Sequence, residues 1–136
     1  MILMAILLAL WAGLIGYCNS VMDKIAHHYS SSRFSQKKNQ QWWDPDISWR
    51  NKYKDGDPDK GPKFFGSTTF LVFTTDAWHF YKWLMNGLIY LPPAFFFGFL
   101  LFDGRLVIAA YIGLRIVYAV TFHVFYHYLH AKKAGN

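Results

Sequence analysis

Six histidines and eight aspartates supply most of the side chains in this sequence that could bind an ion or move a proton. Asp23 and His27 stand four residues apart, Asp76 and His79 three apart, and His123, His127 and His130 follow at intervals of four and three. In a helix, residues three or four apart share a face, so each group would present its members together. His28 adds a further imidazole beside His27. Pairs of this kind let one helix give two ligands to one ion. Imidazole suits zinc, iron, nickel or copper, and carboxylate completes a mixed nitrogen and oxygen shell. The chemistry expected of Asp23, His27, His28, Asp76, His79, His123 and His127 is therefore a divalent transition-metal site, zinc or iron, acting on a lipid or lipid-linked substrate. Two other readings stay open. One is a metal-free acid–base site; the other is a structural polar cluster, since "HVFYHYLH" also fits a belt of amphipathic rings at lipid-headgroup depth. HExxH, paired CxxC and Gly-x-Ser-x-Gly are all missing, so no standard reaction class attaches to these residues.

The elements that must position them are apolar. Of 136 residues, 54% are hydrophobic and 21% aromatic, more than a soluble domain of this size can bury. Three runs are long enough for the roughly 20 residues that cross a bilayer, at about 2–22, 84–102 and 106–128. The first has no basic residue ahead of it and no small-x-small site behind it, and is read as a retained span. Residues 64–102 are too long for one crossing. The division is placed near Lys82, with an amphipathic interfacial helix at 67–82, because this keeps Asp76 and Lys82 out of the hydrocarbon centre. The fold class expected is all-α: one small integral membrane domain of three transmembrane helices plus that interfacial helix.

Net charge is +6, from 14 Lys and Arg against eight Asp. Nine of the 14 lie between Lys24 and Lys63, and Lys132 and Lys133 close the chain. Short loops rich in Lys and Arg stay in the cytoplasm, so both regions are expected inside, with the N-terminus outside. All six histidines then share one membrane depth. The basic residues form no groove-tracking stripe, and nucleic acid is not expected as a partner. Membrane lipids are, together with a homo-oligomer or a larger membrane assembly. The inner loop at about 29–66 interleaves Trp42, Trp43 and Trp49 with Lys52 and Lys54, a pairing suited to lipid headgroups. "DGDPDKG" has the alternating carboxylates of a calcium loop, but Lys60 takes the glycine position and no bidentate Glu follows. Cys18, the single cysteine, reads as a small apolar helix residue.

Arg115 falls about ten residues into the third run, at a depth where a cation is costly. Its expected role is buried: donating to carbonyls near Leu88 and Ile89 that Pro92 and Pro93 leave without partners, with anion or lipid-phosphate binding as the alternative.

From about Asp23 to His79, the features "MDKIAHH", "WWDPDISWRNKYK" and "FFGSTTFLVFTTDAWH" resemble small uncharacterised integral membrane proteins of bacteria and their phages. The resemblance implies a bacterial inner membrane or phage-associated membrane, and it carries over no activity, cofactor or catalytic residue.

Overall fold

The first apolar run contains no proline and no acidic residue before Asp23, and it winds without interruption into α1 (Ile2–His27). The computed structural model describes residues 2–101 and 103–124 of the chain. Every regular element is helical, and among the described residues the one extended pairing is a bridge between Tyr53 and Pro62. The chain divides into two compact units, the first ending at Asn86 and the second starting at Gly87.

In the first unit, short helical turns follow α1. Ser32 accepts the Phe34 N–H and starts a 3-10 turn at Arg33–Gln36. Next come α2 (Gln40–Trp43) and α3 (Pro45–Ser48). Asp44 explains the junction: its side chain accepts the Asp46 N–H, and Pro45, whose missing donor costs nothing in a first turn, holds the helical φ. Further 3-10 turns cover Trp49–Lys52, Lys54–Gly56 and Pro58–Lys60. The chain then doubles back, with Lys54 N–H donating to Gly61 at 3.0 Å and Lys63 N–H to Lys52 at 2.9 Å. Asp55, Gly56 and Gly61 take positive φ in this reversal, the left-handed region that glycine enters freely. Asp57 caps the turn at Asp59, and Asp55 pairs with Lys60 at 3.1 Å, so these carboxylates are used locally.

The core of this unit is small and aromatic. Val21 and Ile25 of α1 and Ala77 are buried, and Phe34, Trp42, Trp43, Trp78 and Tyr81 pack around them. Phe34 stacks on Trp43 with centroids 4.9 Å apart, and Trp43 meets Tyr81 at 6.3 Å. Tyr29 donates to Gln40, whose amide in turn donates to the carbonyls of Ser35 and Lys37.

The stretch 67–76 is not the interfacial helix that its amphipathic pattern suggests. It is a chain of turns with one 3-10 turn at Val72–Thr74, and helix begins only at Ala77. Local hydroxyls explain the difference: Thr69, Thr74 and Thr75 bond the carbonyls three residues back, an alternative to the α-helical ladder. Gly66, at φ +82°, turns the chain ahead of them. α4 (Ala77–Leu100) then runs through Lys82, Pro92 and Pro93 without a break. The Lys82 ammonium lies 4.7 Å from the Trp78 ring centre, which gives the cation an aromatic face inside the helix that was expected to start after it.

In the second unit, α4 continues to Leu100, and Asp103 accepts the Arg105 N–H at 2.9 Å to start α5 (Gly104–Val124). Ala77–Leu100 and Gly104–Thr121 are long and apolar enough to cross a membrane. At 1.5 Å per residue, α4 measures about 36 Å, more than the hydrocarbon thickness. Phe95, Phe96, Phe99, Ile108, Ile112 and Ile116 are exposed on these helices.

Two outcomes follow. A Cβ at Gly98 would come 2.2 Å from Val107 Cγ2 and 3.1 Å from its backbone N, whereas one at Gly113 would meet nothing within 4 Å. Gly98→Ala should therefore cost about 1–3 kcal/mol, while Gly113→Ala should be neutral or gain up to about 1 kcal/mol, both read from thermal unfolding in detergent. Burial first, then the Asp44 carboxylate, raises the Tyr29 phenol above its ordinary value of 10.0. The neutral phenol is thus favoured by folding. Its contribution is complete below pH 10 and is lost as pH rises through the raised value; the alkaline loss of stability should be smaller in Tyr29→Phe.

Candidate functional site

Asp76 precedes the first residue of α4 and is 3% exposed. Its Oδ1 accepts the His79 backbone N–H at 2.9 Å, and its Oδ2 lies 2.6 Å from His79 Nδ1. The Thr75 hydroxyl is 3.2 Å from the same Oδ2 and 2.7 Å from the Val72 carbonyl. An acidic residue one position before an apolar helix satisfies amide groups that the first turn leaves unpaired. Here the imidazole three residues on folds back onto the same carboxylate. With Nδ1 turned toward an acceptor, neutral His79 keeps its proton there and presents Nε2 as the remaining acceptor.

The pair borders a cleft of about 210 Å³ lined also by Ile25, Ala26, Pro45, Ser48, Trp49 and Trp78. The walls are largely apolar, and Ser48 is 4% exposed. What the arrangement offers chemically is one oriented imidazole beside a small apolar recess, fixed by a helix cap.

The expected metal centre is overturned. Among the described residues, no three His, Cys, Asp or Glu side chains are grouped so as to hold a metal ion. The reason lies in α1. Val21 and Ile25 take its buried face, and Asp23, two residues from each, and His27, two beyond Ile25, fall on the opposite side and are exposed. His27 and His28 meet edge to face at 6.5 Å, and neither lines the cleft. Among the described candidate ligands, Asp76 and His79 are the pair joined by a hydrogen bond. The side chain of His123, and His127 and His130 altogether, lie outside the described residues.

No family model, curated protein or solved structure matches the chain. The remaining assignments therefore rest on position alone. Trp42 and Trp43 are partly buried against the core, while Trp49 is 39% exposed with the Arg50 guanidinium 5.3 Å from its ring. Lys52 lies 5.4 Å from the Tyr53 ring, and Lys54 is exposed. Arg115 is partly buried on α5, its Nη1 3.5 Å from where a Cβ at Gly87 would stand. The absent side chain at 87 gives the guanidinium its room.

Two polar residues outside the expected set tie the first unit together. Asn51 Nδ2 donates to the Gln41 carbonyl at 2.5 Å and the Thr75 carbonyl at 2.8 Å, next to the Asp76 cap. The Ser67 hydroxyl, fully buried, donates to the Lys52 carbonyl at 2.7 Å. The one sequence signal available for this network was Asp76 itself, as a helix-start residue ahead of "AWHFYKWL".

Asp76→Ala should lower stability by about 1–3 kcal/mol, combining a lost cap with unpaired buried donors, as read from thermal unfolding followed by circular dichroism. Asp76→Asn should lose less, because Asn caps nearly as well as Asp. Equal stability of Asp76→Ala and the unmodified chain would remove the capping role.

Proposed function

We propose that this chain is an integral membrane protein that holds a compact aromatic and basic headpiece, residues 29–76, at the cytoplasmic lipid surface, and that it acts as a non-catalytic accessory component of a membrane assembly. The observation that carries the reading is the joint core. The headpiece rings pack on Val21 and Ile25, at the end of one long apolar helix, and on Ala77, at the start of another. A headpiece closed in this way over the ends of two apolar helices belongs where hydrocarbon gives way to water.

Three crossings, α1, α4 and α5, fit this placement, since α1 has 26 residues with an apolar body. The nine basic residues from Lys24 to Lys63 favour the cytoplasmic side for the headpiece, with the N-terminus and Asp103 outside. Cations paired with rings, as at Arg50 with Trp49 and Lys37 with Trp43, suit the headgroup layer. The non-catalytic role is supported by the use made of Asp76. Its two oxygens are occupied in capping α4 and in orienting His79, which is sufficient reason for both residue types. The partners that follow are membrane lipids and either further copies of the chain or other membrane proteins.

Single cysteines at positions 38 and 103, in a Cys18→Ala background, test the placement. A membrane-impermeant maleimide should label position 103 on intact cells and position 38 only after permeabilisation. Labelling of both from one side, or of 38 alone from outside, would overturn it.

A further inference from the structure

α1 carries Leu3, Leu7, Leu10, Leu14 and Tyr17 at alternating spacings of four and three, so these side chains follow one seam along the helix. All five are exposed, Leu10 by 65% and Tyr17 by 50%. The next seam position, Val21, is 2% exposed, with Phe34 of the headpiece packed against its cluster. At this step from uncovered to covered there is a cleft of about 360 Å³, bordered by Tyr17, Val21 and Lys24 of α1 on one side and by Ser31, Ser32, Arg33 and Phe34 on the other. Lys24 continues the same four-and-three seam. Among the described residues, neither Lys24 nor Arg33 is paired with a carboxylate.

We infer that this cleft is a binding site for one anionic phospholipid, whose headgroup phosphate sits between Lys24 and Arg33 and whose acyl chain lies along the leucine seam of α1. Two independent features point to the same ligand. The cleft offers two unpaired cations around an opening walled by Tyr17, Val21 and Phe34, which suits an anion joined to an apolar body. The seam offers an uncovered apolar track that ends at Tyr17, on the border of the cleft. A soluble phosphate would leave the track unused, and a neutral lipid would leave both cations unpaired. The site rests on the membrane placement proposed above, because the seam meets acyl chains only if α1 lies in the bilayer. It adds to that placement a ligand class and a stoichiometry of one.

The test uses the full-length protein, delipidated in detergent and titrated with phosphatidylglycerol or phosphatidylcholine under native mass spectrometry. One phosphatidylglycerol should bind in preference to phosphatidylcholine. The Lys24→Gln, Arg33→Gln double variant should bind phosphatidylglycerol roughly tenfold or more weakly, in keeping with about fivefold for each basic residue near a lipid phosphate. Lys38→Gln with Lys63→Gln, an equal change of charge at two exposed positions elsewhere on the headpiece, should bind as the unmodified chain does. The selectivity of the unmodified protein needs no variant, so a misfolded double variant would not shield the idea. Equal affinity for the two lipids, an equal loss in the control pair, or displacement by millimolar inorganic phosphate would each overturn the site. Vesicle flotation separates this from the underlying placement: protein that floats with vesicles but shows no lipid preference defeats only the lipid site, and protein that fails to float defeats both.

Discussion

Burial of a few aromatic rings between the end of α1 and the start of α4 is the constraint on which the first unit depends. Val21, Ile25 and Ala77 are the only members of the cluster buried almost completely, and they are modest in size. Their role is to offer a flat apolar floor on which Phe34, Trp42, Trp43, Trp78 and Tyr81 can settle. Ala77 presents only a methyl group, so rings close over the first turn of α4 without being held apart. Aromatic side chains bring a large contact area and lose few rotamers when fixed, which lets a short segment of single helical turns be held by few residues. The polar latches serve this arrangement. Asn51 and Ser67 satisfy backbone carbonyls that the irregular turns would leave unpaired, and Asp76 does the same for the His79 amide in the first turn of α4.

The same constraint decides what the polar residues can do. A carboxylate at a helix start, held by a backbone amide, a hydroxyl and an imidazole, is fixed in place before any ligand arrives. The imidazole it orients faces a recess whose walls are mostly rings and aliphatic carbons. Lys24, Arg33, Lys37 and Arg50, in contrast, stay near the surface, the last two over rings, where they can meet anions. Chemistry on this headpiece is thus divided between an interior of fixed hydrogen bonds and a rim of cations.

Much of this was legible from residue patterns, and the failures are instructive. The all-helical class and the apolar runs that became α4 and α5 followed from length and composition, and the Asp–His pair at 76 and 79 followed from spacing. The metal reading failed because spacing fixes which residues of one helix share a face, but not which way that face turns. In α1 the choice went to Val21 and Ile25, leaving Asp23 and His27 on the other side. The interfacial helix failed because an amphipathic pattern at 67–82 was weighed without its threonines, whose hydroxyls bond the backbone locally. The division near Lys82 also failed: α4 passes through it. Asn51 and Ser67 could not have been picked out, since each acts on a carbonyl distant in sequence, 24 and 15 residues away.

The headpiece core has a further consequence for how the chain is made. Its floor takes Val21 and Ile25 from one end and Ala77 from the other, so it is completed some fifty residues after it is begun. At ribosomal speeds of about 5–20 residues per second, several seconds separate the emergence of Phe34, Trp42 and Trp43 from that of the helix that covers them. During that interval the rings have only the end of α1 to rest on. Closure of the core then coincides with the arrival of α4, so that completing the headpiece and starting the next apolar helix become one event.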